Sequence, residues 1–466
     1  MKATYELDPT YTSTKNACKL CSPLGASVVF KGIRNCIPLI HGSQGCATYI
    51  RRYMISHYKE PVDIASSNFS EETTIFGGNN NFNIGIDNII SQYEPEAIGI
   101  STTCLSETIG EDVDGMLREY QTVRSGRKLP VLITASTPSY QGSHIDGFHE
   151  TVLAVIKTLA SFGKSSEHIN IFPGFVSPED IRHIKEVFED FGLKYMLFPD
   201  YSDTLDNPTW DEYIKLSPGG TPVEEIRSAG SARATLEIGN IFNKGMMKGR
   251  IRNFSQAMTA GNFLENEFSV PLKQINMPIG VGNSDTFFKT LEDLSGITTP
   301  EKHTKERGRL IDSYIDGHKY VFGKKAIIYG EEDLVIALAG FLDEIGVQVV
   351  LAASGGDSAL LESEVMKATP NHVEKPKVGQ GWDFDRIAKE AETLRPDIII
   401  GHSKGYYIAR MLEIPIVRIG FPIHDRIGGQ RLLHLGYKGT QQLFDKIVNA
   451  LLEAKQNASP VGYKYM

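Results

Sequence analysis

Three cysteines in the first third of the chain lie in short segments rich in Gly, Pro, Ser and Thr, the residues of tight loops. Cys21 begins one segment, and Cys46 and Cys104 end two others. A fourth segment of this kind ends at Ser139. Backbone N–H groups in such loops can point at an anion, and an iron–sulfur cluster with thiolate ligands is anionic. The three thiols and the hydroxyl therefore predict half of a cluster site.

The remaining two of the five cysteines, Cys18 and Cys36, have other interpretations. The spacing of Cys18 and Cys21 allows half of a zinc site, but no second pair of ligands follows at a suitable spacing. A redox pair of this spacing opens a helix after a strand, a pattern that Leu20 and Pro23 do not clearly fit. Cys36 lies in an apolar stretch, 33–40, and is predicted to be buried in a strand. Any one cysteine taken alone is most often a small buried apolar residue.

Short apolar strands separated by amphipathic helices are the dominant pattern, which indicates parallel α/β sheets. The predicted strands are residues 37–40, 97–101, 130–134, 169–172, 195–198, 326–330, 347–352, 397–400 and 416–419. The clearest helix begins after Ser177, has Pro178 at its first position and ends at Gly192. Functional loops of parallel sheets lie at the carboxyl ends of strands, where Cys104, Ser139 and His402 are found. Residues 402–405 are compatible with a polar site or with a capped loop.

Two further segments surround the predicted cluster loops. Residues 47–54 form a predicted helix whose positive N-terminal end would face whatever Cys46 binds. Ser70 is a predicted helix start, and the segment leads to Phe76 beside two glycines. Phe76 is equally compatible with an exposed contact and with a core position.

Length and charge set the limits on function. The 466 residues suggest about three domains. A net charge of -9 argues against nucleic acid or an anionic membrane as a partner. No stretch is apolar enough for a membrane span, and residues 1–16 read as a polar exposed arm without a signal core, which predicts a cytoplasmic protein. Gly330 is followed by three acidic residues that would repel a phosphate, so any ATP is expected on another chain.

The chain resembles the β-type subunit of nitrogenase component 1. The resemblance spans nearly the whole chain, in the family's order. It is carried by residues 21–26, 41–46, 52–61, 76–78, 101–112, 137–139, 278–280, 305–309 and 419–422.

This resemblance implies an α/β fold of three Rossmann-like domains, with parallel sheets flanked by helices. The expected ranges are 1–165 for an N-terminal domain with the cluster ligands, 166–310 for a middle domain and 311–466 for a C-terminal domain. It also implies a heterotetramer of two α-type and two β-type subunits, with an 8Fe-7S P-cluster at their interface. An iron–sulfur cofactor that reduces the substrate would lie in the α-type partner, so this chain would hold no catalytic residue.

The resemblance also assigns roles to six residues. The implied cluster ligands are Cys21, Cys46 and Cys104, with Ser139 as the serine that binds iron when the cluster is oxidised. Phe76 matches the hydrophobic docking spot of the ATP-hydrolysing iron protein, and Tyr49 matches a residue on the cluster side that faces the catalytic cofactor.

Three departures from the molybdenum type leave the substrate open. The N-terminal arm is short, Cys18 adds a thiol, and residues 402–405 resemble iron-only nitrogenase β subunits. Dinitrogen reduction therefore stands beside carbon–sulfur cleavage by a methylthio-alkane reductase. A scaffold for cofactor assembly is a third interpretation, towards which residues 70–75 lean. Scaffold chains often lack two of the cysteines, so the three thiols with Ser139 favour an electron-transferring enzyme subunit.

Overall fold

The structure is a computed structural model that describes residues 16–164, 166–212, 214–241 and 258–461. The predicted polar arm lies outside the described residues, except for Asn16, which is exposed. The described strands form three parallel sheets, which confirms the predicted α/β class. No helix in the described ranges is both long enough and apolar enough to cross a membrane.

The first sheet lies beside the loops with the predicted cluster cysteines. Its strands are β1 Cys36–His41, β2 Ala65–Ser66, β3 Ala97–Thr102 and β4 Val131–Ala135. Their spatial order is β2-β1-β3-β4. The helices of this part are α1 Ser22–Lys31, α2 Gln44–Tyr58, α3 Glu71–Phe76, α4 Asn79–Tyr93, α5 Cys104–Thr108, α6 Val113–Val123 and α7 His144–Leu159. Every residue of β1 and β3 is buried, as expected for parallel strands covered on both faces.

The second sheet has the order β6-β5-β7-β8 for strands β5 Ile169–Phe172, β6 Tyr195–Leu197, β7 Ala234–Ile238 and β8 Leu272–Ile275. Its helices are α8 Pro178–Asp190, α9 Val223–Arg227, α10 Ala260–Phe268, α11 Val281–Ser295 and α12 Glu301–Val321. The predicted start of α8 is confirmed, because the Asp180 N–H donates to the Ser177 hydroxyl at 2.9 Å.

The third sheet has the order β11-β10-β9-β12-β13 for strands β9 Lys325–Gly330, β10 Gln348–Ser354, β11 Lys377–Gly379, β12 Ile398–Gly401 and β13 Ile416–Arg418. Its helices are α13 Glu332–Glu344, α14 Leu361–Ala368, α15 Phe384–Leu394, α16 Tyr406–Met411 and α17 Gly436–Ala458. The strands of each sheet fall within one of the three expected ranges. The boundaries themselves stay a prediction, since one buried apolar cluster includes residues of all three sheets.

The crossing of α1 and α7 fixes the position of the first cluster loop. A Cβ added to Gly25 would lie 1.8 Å from the His144 carbonyl oxygen, and one added to Gly147 would lie 2.1 Å from the Ser22 carbonyl oxygen. Two glycines therefore let the backbones of the helices touch. Residues 26–33, compatible with a helix or a strand from sequence, belong to a helix up to Lys31.

We expect Gly25→Ala to destabilise the protein, because a methyl group at this crossing must push the two helices apart. Overpacking of this kind costs about 1–3 kcal/mol, which outweighs the better helix propensity of Ala. Thermal unfolding of the purified protein measures the effect. Gly45→Ala is the matched control, since the nearest atom to its Cβ would be the Ser43 hydroxyl at 3.8 Å. Equal unfolding temperatures for the two variants would contradict the expectation.

Candidate metal centre

The carboxyl ends of β1, β3 and β4 bring the cluster loops together, because these strands are neighbours in the first sheet. Cys46 follows β1 and lies in the first turn of α2, which begins at Gln44 rather than after Cys46. Cys104 follows β3 as the first residue of α5, and Ser139 lies in the loop after β4. Cys21 is the residue that precedes α1.

Hydrogen bonds connect three of these loops directly. The Ser139 N–H donates to the Cys104 sulfur at 3.2 Å. The Ser22 N–H donates to the Ser139 hydroxyl oxygen at 3.1 Å, and the Ser22 hydroxyl donates to the Ser143 carbonyl at 2.9 Å. The Ser43 hydroxyl lies 3.5 Å from the Cys46 sulfur. Backbone N–H groups thus point at a sulfur and at the hydroxyl oxygen of the predicted site.

Solvent exposure separates the five cysteines into two groups. Cys21 and Cys104 are exposed and Cys46 is partly exposed, whereas Cys18 and Cys36 are buried. Free cysteines are usually buried, so exposed thiols on adjacent loops are unusual for purely structural residues. Although Cys21 touches solvent, the surrounding protein raises the pKa of its thiol to about 11, and the nearby Cys46 and Cys104 thiols add to the increase. The three thiols are therefore electrostatic neighbours.

The N-terminal ends of α1 and α2 favour an anion beside Cys21 and Cys46. Neither α1 nor α2 has an acidic residue in its first turn, and in neither helix does the side chain of the N-cap residue accept a hydrogen bond from the first turn. The Ser139 hydroxyl accepts from the first N–H of α1. The open N–H groups and the positive ends of the two helix dipoles therefore face the loops of Cys21 and Cys46. This arrangement suits a metal cluster whose thiolate ligands make it negative.

The described residues do not form a site for a single metal ion. Among the residues that the structure describes, no three His, Cys, Asp or Glu side chains converge closely enough to hold one ion. Three thiols on separate loops, open to solvent on one side, instead fit a larger thiolate-bound cluster completed by ligands from outside the chain.

Glu107 is a part of the site that the sequence did not single out. Its Oε1 accepts hydrogen bonds from the Thr102 hydroxyl and from the Ser136 hydroxyl, each at 2.6 Å. The carboxylate therefore joins the carboxyl ends of β3 and β4 beside Cys104. The sequence did contain a signal for this role. Glu107 lies three residues after Cys104, and a Ser-Thr segment follows the next strand.

Cys18 does not belong to the group of thiols. Its side chain packs among residues of the third sheet, including Ile327 and Tyr329, and its sulfur lies 3.9 Å from Nε2 of His402. Burial raises the pKa of the Cys18 thiol to about 12. Burial and a raised pKa argue against a redox pair with Cys21, since reactive thiols are accessible and have lowered pKa values. Cys21 does precede a helix, but the residues before it, 18–20, do not form a strand.

Cys36 is buried in β1, as predicted. Residues 403–405 form a 3₁₀ turn after β12, in which the Ser403 hydroxyl donates to Asp425 and the Lys404 ammonium donates to the Ala17 carbonyl. The Tyr329 hydroxyl donates to the His402 carbonyl at 2.6 Å.

Phe76 and Tyr49 are both on the surface. Phe76 is 81% exposed and its neighbour Ile75 is 75% exposed, so Phe76 is not a core residue. The loop after Phe76 is held by Glu111, which accepts from the Gly78 N–H at 2.8 Å and lies 3.2 Å from Nε2 of His41 at the end of β1. Tyr49 is 63% exposed on α2, one helical turn after Cys46.

Comparisons with known proteins agree over nearly the whole chain. Residues 21–452 match the family described as nitrogenase component 1 type oxidoreductase. The chain is 37% identical over 441 residues to the nitrogenase molybdenum-iron protein beta chain of Clostridium pasteurianum, covering 94% of this chain and 93% of the relative. It is 35% identical over 445 residues to the vanadium-iron protein beta chain of Trichormus variabilis, with 92% of each covered.

Two further similarities concern a biosynthetic protein and a solved structure. The nitrogenase iron-molybdenum cofactor biosynthesis protein NifN of Bradyrhizobium diazoefficiens is 31% identical over 454 residues, covering 95% of this chain and 91% of the relative. The structure of nitrogenase Cp1 at pH 6.5 superposes with a TM-score of 0.92 at 34% identity, covering 99% of this chain and 98% of the other.

Proposed function

This chain belongs to the nitrogenase component 1 type oxidoreductases as a β-type subunit, and we propose that it holds half of an 8Fe-7S P-cluster shared with an α-type subunit. The cluster would relay electrons from an ATP-dependent iron protein to a reducing cofactor in the α-type partner. The observation that supports this most directly is the set of three solvent-facing thiols, two on adjacent loops of the first sheet and one directly before α1.

The proposed ligands are Cys21, Cys46, Cys104 and Ser139. When bound, the cluster would supply one-electron transfer. The protein would hold the three sulfurs on separate loops, with two helix N-termini that stabilise negative charge. Apolar partner surface over the exposed thiols would exclude water from the site.

Ser139 has a second proposed task, the handling of a proton at its hydroxyl oxygen. The Ser22 N–H donates to this oxygen at 3.1 Å, and a donated hydrogen bond favours the deprotonated form. A hard alkoxide oxygen prefers the more oxidised metal, so ligation by Ser139 would accompany oxidation. Because the hydroxyl proton must leave when the oxygen binds iron, electron transfer would be coupled to proton release.

The proposed nucleotide site lies on the partner iron protein. The turn after β9 has no phosphate-binding character, since Glu331 precedes α13 and lies 3.2 Å from Nε2 of His144. The exposed Phe76 and Ile75 are the proposed docking contact for the iron protein. Tyr49 is proposed to lie on the cluster side that faces the cofactor in the α-type partner.

Dinitrogen reduction is the proposed reaction, and two alternatives remain as outcomes of the test. The molybdenum-iron and vanadium-iron beta chains among the relatives support dinitrogen reduction. The similarity to NifN supports a scaffold for cofactor assembly as a second candidate. The presence of all three thiols favours the enzyme subunit over this scaffold, and carbon–sulfur cleavage by a methylthio-alkane reductase is the alternative within enzymes.

Anaerobic turnover of the complex with its α-type partner, its iron protein and ATP tests the reaction. Dinitrogen and a methylthio-alkane are offered in parallel, and ammonia and methanethiol are measured. We expect ammonia. Methanethiol without ammonia would make the complex an organosulfur reductase, and neither product from a complex with intact clusters would favour the scaffold.

Cys46→Ala is expected to remove cluster iron from the assembled complex, since one of three protein sulfurs in this half of the site is lost. Iron per complex and electron transfer from the iron protein measure the effect. Cys18→Ala is the matched control and should keep its iron, because Cys18 packs in the third sheet. Full iron content in the Cys46→Ala complex would contradict the ligand assignment.

Phe76→Ala is expected to weaken binding of the iron protein without changing the stability of the chain, because the ring is free in this subunit. Loss of a buried aromatic contact of about 1.5–3 kcal/mol would weaken binding roughly 10- to 100-fold. Equilibrium binding of the iron protein measures it. Phe162→Ala is the control, since Phe162 is 79% exposed in the loop after α7. Equal affinities of both variants would argue against a docking role.

A further inference from the structure

The segment that precedes Cys21 contacts residues of the third sheet and its helices before the chain enters the first sheet. We call residues 16–20 the N-terminal strap. The Phe384 N–H donates to the Asn16 carbonyl at 3.2 Å, and Ala17 forms an isolated antiparallel bridge with Asp383. We infer that the C-terminal part of the chain positions the Cys21 sulfur through the N-terminal strap. This inference rests on the proposed role of Cys21 as a cluster ligand.

Cys18 fixes the middle of the strap. Its side chain is 4% exposed and lies in an apolar cluster built otherwise of residues between 327 and 409. Its sulfur is 3.9 Å from Nε2 of His402, which is itself buried. Cys18 therefore acts as an apolar anchor among residues of the third sheet. Its contact with His402 joins residues that are 384 positions apart in the sequence.

Two further residues, Lys404 and Gly355, contact the strap. The Lys404 ammonium donates a hydrogen bond to the Ala17 carbonyl. Gly355, which follows β10, lies directly against the strap: an added Cβ would be 2.4 Å from the Cys18 carbonyl oxygen and 2.8 Å from the Lys19 Cβ. This glycine has an ordinary negative φ. Close approach of the strap, not backbone conformation, is thus what requires a glycine there.

The last residue of the strap, Leu20, connects it to the loop of Cys21. The Leu20 N–H donates to Nδ1 of His144 at 3.3 Å, and the Leu20 carbonyl accepts from the His144 N–H at 3.0 Å. Nε2 of His144 lies 3.2 Å from Glu331 at the end of β9. Residues of the third sheet and its loops therefore contact both the strap and its partner His144. Cys21 directly follows the strap.

Consequently Gly355 and Lys404 are positioning residues: they touch the strap and act on the cluster only through Cys21. Loss of supporting contacts around a metal ligand typically costs 10- to 100-fold in metal affinity. We expect a displaced strap to leave the ligands in place but to hold the Cys21 sulfur less firmly. Iron should then leave the cluster faster, and the spectrum of the oxidised cluster should change.

Gly355→Ala is the first test, made in the complex assembled with its α-type partner. Iron release to a chelator and the electron paramagnetic resonance spectrum of the oxidised cluster are measured. We expect release roughly tenfold faster than in the unmodified complex, together with an altered spectrum. Gly356→Ala is the control, because the three nearest atoms to its Cβ would all belong to the Glu332 side chain, at 3.0 Å or more, and none to the strap.

Lys404→Met supplies an independent test that adds no bulk to the core. It removes the ammonium that binds Ala17 and leaves an unbranched side chain that is one atom shorter. Its control is Lys377→Met, since Lys377 pairs with Glu390 at 2.6 Å in the same part of the chain and does not touch the strap. If the Gly355→Ala complex does not assemble, the comparison of Lys404→Met with Lys377→Met tests the inference by itself.

Cys21→Ala is measured alongside to separate the two hypotheses. Iron loss in Cys21→Ala, with faster release and an altered spectrum in Gly355→Ala or Lys404→Met but not in their controls, supports the inference. Iron loss in Cys21→Ala with both positioning variants like the unmodified complex overturns the inference and leaves the ligand role intact. Full iron in Cys21→Ala overturns both.

Discussion

The contact on which the site depends is the crossing of α1 and α7, where two backbones meet with no side chain between them. Gly25 lies against the His144 carbonyl and Gly147 against the Ser22 carbonyl. This approach brings the Ser22 N–H to the Ser139 hydroxyl and the Ser22 hydroxyl to the Ser143 carbonyl. With a larger residue at either position, the loop of Cys21 would move away from the loops after β3 and β4.

The rest of the site follows from the parallel order of the first sheet. Adjacent strands β1, β3 and β4 end at one edge, so the loops that begin there share one surface. Glu107 joins two of these ends and Glu111 joins a third to the segment of Phe76. Carboxylates thus tie the loops together, yet no acidic side chain occupies the first turns of α1 and α2.

Local signals in the sequence predicted much of this fold. Apolar runs located the buried strands within about two residues, and Ser177 with Pro178 located the start of α8, because caps and strand burial are encoded by neighbouring residues. Strands β2, β7, β8 and β11 were not predicted. Of these, β2 and β11 have two and three residues, and β8 is only partly buried, so their hydrophobic patterns are weak.

The candidate site was only partly predictable. Local loop chemistry and the family resemblance indicated the proposed ligands, whereas the contacts that support these residues come from distant parts of the sequence. Nothing around Gly25 in the sequence indicates the carbonyl of His144 as its neighbour. The contact between Cys18 and His402 joins residues 384 positions apart. Phe76 was undecided because exposure depends on what the rest of the chain leaves uncovered.

The two cysteines of the Cys18-x-x-Cys21 pair illustrate how position, not residue type, decides chemistry. Cys18 and Lys19 lie in bends, so the chain changes direction between the two cysteines. Cys18 accordingly enters the apolar core of the third sheet, while Cys21 faces solvent beside two other thiols. Burial raises the pKa of the Cys18 thiol to about 12 and keeps it protonated and inert. The pKa of the Cys21 thiol is also raised, but the proposed iron would reverse this effect, since a coordinating thiol is deprotonated outright. Hence one thiol of the pair serves as an anchor and the other is available to a metal.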